Sequence, residues 1–245
     1  NSAYFPEALC PHTSQISLVR HLMMIATARI VSKRSSSLRL LEIGSWLGAS
    51  TLAWSHGISR YFPEGGNILC VDPWNQFLDE IEINSKQKTQ KMDQIAQIGL
   101  AYDCFLHNIS FSPENVPINH FRGYSEDVLS YLSGESFDIV YIDGDHTYDK
   151  FIRDLEEADR LLKPEGVMCG DDLELQSHQV DIDYAVLNKK RDYVKDPKSE
   201  VNYHPGITLG VRDFFGEVQS YSGFWLMLKT SLGYKKQEIK NVEIF

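Results

Sequence analysis

No stretch of this 245-residue chain approaches the roughly eighteen consecutive apolar residues that a membrane-spanning helix needs. No basic segment leads into an apolar one near its start either, so the sequence predicts a soluble, cytoplasmic protein without a membrane partner. Basic residues are scarce: 24 Lys and Arg stand against 34 Asp and Glu, a formal charge of −10. A surface of that sign repels phosphate backbones, which argues against unassisted binding to nucleic acid and for a small-molecule partner. Cysteine is sparse, and Cys10, Cys70, Cys104 and Cys169 show no C-x-x-C spacing. Zinc is therefore unsupported, and Cys70 and Cys169, inside apolar runs, read as buried reduced thiols. Repeats, low-complexity tracts and linkers are also missing. What remains is ordinary globular composition, 42% hydrophobic and 24% charged, and residues 1–245 read as a single domain.

The richest signal lies in Leu38–Ser50, LRLLEIGSWLGAS. An apolar run (Leu38, Leu40, Leu41, Ile43) stops at Gly44, Gly48 follows, and a helix-like segment begins. Apolar strand, glycine turn and helix N-terminus together hold nucleotide-like ligands at the carboxyl end of a parallel strand. Gly44 would let the backbone approach such a ligand, and Glu42 sets a carboxylate at the strand tip. The amides around Ser45–Ser50 face the crevice. The dinucleotide fingerprint G-x-G-x-x-G lacks its middle glycine here, since Trp46 stands in that place, and a bulky indole argues against a diphosphate. The spacing is E-x-G-x-x-x-G; a plain connecting turn would also explain it.

Strand and helix patterns then alternate. A helix capped by Thr13 or Ser14 runs to about Lys33, with Ile16, Val19, Leu22, Met23, Ala26 and Ile30 as its apolar stripe. It forms an N-terminal helical cap (1–37) that covers the crevice, packs on a second copy as a homo-oligomer contact, or joins the core. Ala49–Tyr61 reads as a helix and Asn67–Val71 as a strand ending at Asp72, where an acidic residue holds ribose hydroxyls. Trp74 either stacks on an adenine or belongs to the core. A polar, mostly helical insertion (75–108) serves as a lid or recognition segment. Strand Ile118–Arg122 precedes Ser125, either a helix N-cap or a contact to the adenine. Strand Phe137–Ile142 runs into Asp143, helix Asp149–Leu162 follows, and strand Val167–Gly170 delivers Asp171 and Asp172. The tail (173–245) forms a substrate-side segment, a helix over Pro205–Phe215, and an edge hairpin near Phe224–Lys229 and Tyr234–Ile239. This succession predicts an α/β, Rossmann-like, doubly wound, mostly parallel sheet with helices on both faces.

Asp143, Asp171 and Asp172 stand at the carboxyl ends of strands expected to be neighbours, about 4.8 Å apart. Three convergent carboxylates repel one another unless protons or a cation neutralise them. Mg²⁺ or another divalent cation does so most simply, while helix capping or solvation is the plainer alternative. His146, three residues beyond Asp143, is either a general base with an ordinary pKa of about 6.5 or a helix-start residue. His178 and His204, in the tail, are alternative bases.

YIDGDHTYD, preceded by LEIGSWLGAS and VDPW and followed by PEGVMCGDD, resembles the class I S-adenosylmethionine-dependent methyltransferases. The metal-dependent O-methyltransferases of natural products are most similar, notably the groups acting on macrolide sugars and in cephalosporin biosynthesis. The resemblance implies a seven-stranded sheet with a reversed last strand, S-adenosylmethionine and Mg²⁺ as cofactors, and a small hydroxylated acceptor. By position, Glu42, Gly44, Ser45 and Ser50 match the amino-acid end of the cofactor site, Asp72 the ribose and Ser125 the adenine. Asp143, Asp171 and Asp172 match metal ligands, with Asp143 also at the cofactor and the chemistry, and His146 matches the general base. Catechol O-methyltransferase, a more distant likeness, carries lysine at the His146 position and Asp-Asn in place of Asp171-Asp172, which argues against a catechol. An NAD-dependent Rossmann oxidoreductase and a cofactor-binding protein without catalysis are the competing readings.

Overall fold

Side-chain alternation along five parallel strands sets the layers of the computed structural model, which describes residues 17–75 and 99–239. These strands are β1 (Leu38–Ile43), β2 (Gly66–Asp72), β3 (Ile118–Arg122), β4 (Phe137–Ile142) and β5 (Leu162–Leu173). The flanking helices are α1 (Leu18–Val31), α2 (Ala49–Tyr61), α3 (Leu100–Ile109), α4 (Ser125–Val128), α5 (Tyr148–Leu161), α6 (Ile182–Leu187) and α7 (Pro205–Phe215). Leu40, Cys70, Tyr141 and Cys169 point to one face and pack with Met24, Trp54 and Phe105 from α1, α2 and α3. Their neighbours in sequence, Leu41, Val71, Val140 and Met168, point to the other and meet Phe151 and Leu155 of α5 and Val211 of α7. A strand buried on both faces requires apolar residues at successive positions, which is why these runs lack polar alternation.

The strands lie in the order β3–β2–β1–β4–β5. β9 (Gly223–Thr230) then adds antiparallel to β5, supplying the expected reversed strand. The sheet has eight strands rather than seven because two short ones share the outer edge of β9. β8 (Gln219–Tyr221) pairs with residues 224–226, and β10 (Gly233–Lys236) with residues 227–230. A separate ribbon joins β6 (Val194–Lys195) to β7 (Asn202–Tyr203), so the segment between β5 and the last helix holds a short helix and a hairpin. Strand order reverses at β1, with β2 on one side and β4 on the other. Ligands of open α/β sheets bind at the carboxyl edge of such a switch point.

Helix α1 starts later than its spacing suggested. Ser17 is its N-cap, accepting from Arg20 N–H at 3.4 Å; the candidate caps Thr13 and Ser14 lie outside the described residues. Its buried residues are Met24, Ala26, Thr27, Ala28 and Val31, while Val19 of the expected stripe is exposed. Apolar residues surround this helix almost completely, so periodicity alone did not select the core face. Most of the expected insertion, residues 76–98, also lies outside the described residues. Among the described residues, no helix is long and apolar enough to cross a membrane.

Candidate active site

The turn after β1 is built on two buried carboxylates. Glu42, fully buried at the end of β1, accepts from Ser45 Oγ at 2.9 Å, from Ser50 Oγ at 2.6 Å and from the Thr51 hydroxyl. Burial pushes its pKa up and these hydroxyl bonds pull it back. Asp72, at the tip of β2, accepts the backbone N–H groups of Ser45 and Trp46, both at 2.9 Å, and of Trp74 at 2.5 Å. Its oxygens thus fix the loop from beneath, and burial raises its pKa against those bonds. Gly44 has φ +83°, and a Cβ there would stand 2.0 Å from the Asp143 carbonyl oxygen. The sequence reading assigned that bare position to a ligand; the neighbour that requires it is the backbone after β4. Trp74 is a core residue: fully buried, it donates Nε1–H to the Trp46 carbonyl at 2.6 Å and packs 4.5 Å from the Phe105 ring.

Ser125 is the first residue of α4 rather than its cap, which is Tyr124. Its hydroxyl bonds Asp154 of α5, a carboxyl that burial raises to about 7.

Asp143, Asp171 and Asp172 do converge, and a β-bulge brings the last two together. Gly170 pairs with Trp225 and Leu173 with Gly223, so Asp171 and Asp172 oppose Phe224 alone. Such an insertion re-aims consecutive side chains that a regular strand would send to opposite faces. Asp172 takes φ +60° there. Both carboxylates then meet a cation from α1: Arg20 Nη1 lies 2.9 Å from Asp171 Oδ2 and 2.9 Å from Asp172 Oδ1. The Tyr141 hydroxyl sits 3.1 Å from Asp143 Oδ2 and 3.3 Å from Asp171 Oδ2. Burial, then the charges of Asp172 and Asp171, hold the Asp143 carboxyl well above the ordinary range. Burial followed by Asp172 pushes Asp171 to about 7. Asp172 goes the other way: burial would raise it, but His204, His146 and Arg20 hold it well below the usual range.

His146 faces the other oxygen of Asp172, with Nε2 3.1 Å from Oδ2, and its Nδ1 lies 2.6 Å from Asp192. Burial lowers its basicity, yet Asp192 and Asp172 outweigh that and carry the pKa well above 6.5. His204 packs against His146 with ring centroids 4.4 Å apart and planes tilted by 59°, and its Nδ1 is 3.1 Å from Glu174. Among the described residues, His146, Asp172 and His204 each offer a ligand atom within 4.8 Å of the others. Two imidazoles and one carboxylate suit a borderline transition ion better than Mg²⁺. His178 stands apart, exposed and paired with Glu217 at 3.2 Å.

Arg20, Tyr141, Glu174 and Asp192 were missed by the sequence reading. Tyr141 and Glu174 stand two residues from Asp143 and Asp172, the strand period that shares a face. Arg20 is a lone Arg in the first turn of an apolar helix; Asp192, inside KKRDYVKD, looks like part of a solvated run.

A family described as "Methyltransferase domain" matches residues 41–173. A solved protein from Corynebacterium glutamicum superposes with a TM-score of 0.52 at 14% identity, over 91% of this chain and 86% of its own. An O-methyltransferase from Bacillus cereus, solved in complex with SAH, gives 0.47 at 18% identity, over 93% and 81%. TomG from Streptomyces achromogenes, an O-methyltransferase of tomaymycin synthesis solved with SAM, gives 0.47 at 17% identity, over 94% and 92%. No curated protein matches the sequence.

Proposed function

The chain belongs to the methyltransferase-domain family, and on that premise we propose that it moves a methyl group from S-adenosylmethionine to a hydroxyl of a small molecule. A secondary metabolite, such as one bearing a sugar, is the acceptor class we favour. The observation that carries this reading is the convergence at the switch point. There the turn after β1 lies against the Asp143 backbone, and an imidazole backed by a carboxylate stands at the same edge of the sheet. The loop also suits a cationic donor. Residues 44–50 contain no Lys or Arg to hold a diphosphate, while Glu42, Asp72 and Asp143 gather acid around them.

When bound, S-adenosylmethionine supplies an electrophilic methyl group on a sulfonium. In this reading Glu42, Gly44, Ser45 and Ser50 lie by its amino-acid end, Asp72 by its ribose, Ser125 by its adenine and Asp143 by its methyl group. Glu42 and Asp72 act chiefly by fixing the loop, since protein donors already engage their oxygens. His146 accepts the hydroxyl proton on Nε2, with Asp192 holding the ring through Nδ1. It must begin neutral, so turnover rises as pH climbs through its elevated pKa, and the same elevation favours keeping the proton once transferred.

Mg²⁺ is the part of the family resemblance that the paired acids Asp171 and Asp172 do not fit. Mg²⁺ requires oxygen ligands at about 2.0–2.1 Å. Asp171 and Asp172 instead turn an oxygen each to Arg20, and the second oxygen of Asp172 faces His146. No step here runs through a metal.

Mass-spectrometric detection of methyl transfer to a panel of hydroxylated acceptors tests the reading. His146→Ala should lower turnover about 10²–10⁴-fold, with S-adenosylhomocysteine affinity nearly unchanged. Undiminished turnover in that variant, or methylation confined to nitrogen or carbon, would overturn it.

A further inference from the structure

We propose that Arg20 is the resident cation of the strand-tip acids, a positioning residue standing where a divalent ion would otherwise bridge them. The inference deepens the methyl-transfer reading and rests on it for the role of the cluster, but its geometry stands alone. Nη1 is equidistant, at 2.9 Å, from one oxygen of Asp171 and one of Asp172. An ion bridging that same oxygen pair would need the space of this nitrogen.

The guanidinium is docked by more than its charge partners. Its Nε donates to the Ser222 carbonyl at 3.0 Å, and Nη2 lies 3.9 Å from Glu174. Gly223, φ +95°, leaves the space it fills: a Cβ at that position would stand 2.6 Å from Nη2. Position 223 also pairs with Leu173, just past the bulge that turns Asp171 and Asp172 inward. One irregularity in β5 and one bare residue in β9 therefore build both halves of the pair, the acids and the slot for the cation.

Arginine suits the position because its planar fork engages two carboxylates and a carbonyl at once and stays charged at every accessible pH. Asp171, Asp172 and, at longer range, Asp143 all stabilise that charge and outweigh the burial that opposes it. A second cation of charge two at the same acids would meet a fixed positive neighbour inside a poorly solvated pocket. Arg20 is anchored from α1, so this helix closes the acidic edge of the site as well as packing on the core.

Titration of the full chain with Mn²⁺, followed by the paramagnetic resonance of free ion, separates the alternatives without cofactor or acceptor. Wild type and Arg20→Lys should take up no Mn²⁺ with a Kd below about 100 μM that persists in His204→Ala, the variant that dismantles the neighbouring His146–Asp172–His204 set. Arg20→Gln, which removes the charge and draws the side chain back from the acids, should bind one Mn²⁺ per chain, and its melting temperature should rise with Mn²⁺ as ligand linkage requires. Adding Asp171→Asn to that variant should abolish the gain, since Asp171 belongs to the pair and not to the His146–Asp172–His204 set. One tightly held Mn²⁺ in wild type that persists in His204→Ala, and so lies outside the His146–Asp172–His204 set, would overturn the proposal, as would a folded Arg20→Gln that binds none. Should Arg20→Gln fail to fold, the wild-type titration still decides. A failed methyl-transfer reading would show as absent S-adenosylhomocysteine binding, which this titration does not touch.

Discussion

Replacing Gly44 by alanine strikes the point where the two halves of the site meet. The native φ of +83° lies in the left-handed region, which costs a residue with a Cβ about 1–2 kcal/mol. The added methyl would also sit 2.0 Å from the Asp143 carbonyl oxygen, whereas real Cβ contacts essentially never fall below 3.0 Å. The turns after β1 and β4 must then part by at least 1 Å, and overpacking of this kind costs about 1–3 kcal/mol more. Together these give a loss of about 2–5 kcal/mol. In a chain of this size that lowers the melting temperature by about 4–20 °C. Asp143 moves with its turn, and a misplacement of that order reduces turnover about 10²-fold. Calorimetric melting and an initial-rate methyl-transfer assay on the same preparation read both effects. A variant that melts within about 2 °C of wild type and turns over normally would refute the close crossing of the two turns.

Trp74→Ala should cost about 3–5 kcal/mol in denaturant unfolding; an unchanged midpoint with weakened cofactor binding would instead make Trp74 an adenine platform. Asp154 supplies a pH test. Burial raises its folded-state pKa from 3.8 to about 7, so the folded chain holds a proton that the unfolded chain releases. Stability from this group is therefore full below about pH 4 and declines as pH rises to about 7, by on the order of 4 kcal/mol. Asp154→Asn should flatten the wild-type decline by that amount between those limits, and equal slopes in the two proteins would contradict the assignment.

Much of this architecture was legible because local signals and global topology agree. The bounds of α2, β4 and α7 follow from their apolar residues, and those of β3 from Pro117 and Gly123 on either side of it. That the tips of β4 and β5 bring Asp143 beside Asp171 and Asp172 follows from strand order, but that Asp171 and Asp172 share a face depends on the bulge in β5. What neutralises them does not follow from strand order: Arg20 reaches Asp171 across some 150 positions, and no local pattern announces a contact of that separation. The bulge in β5 was hidden for a related reason, since it is defined by pairing with β9 rather than by the sequence of β5. Gly44 reads from sequence as a place where backbone approaches a ligand, but the neighbour that a Cβ there would strike is the Asp143 carbonyl, which depends on how the turn after β4 crosses the turn after β1. Asp192 owes its place behind His146 to the fold of the tail, and a charged run in sequence gives no hint that one member turns inward.

Calorimetric titration of the full chain with S-adenosylhomocysteine, alongside a fluorescence titration with NADH, tests the central claim most directly. One S-adenosylhomocysteine per chain, with a Kd of about 1–100 μM, and no saturable NADH binding are the predicted results. Saturable NADH binding with no heat from S-adenosylhomocysteine would contradict the account.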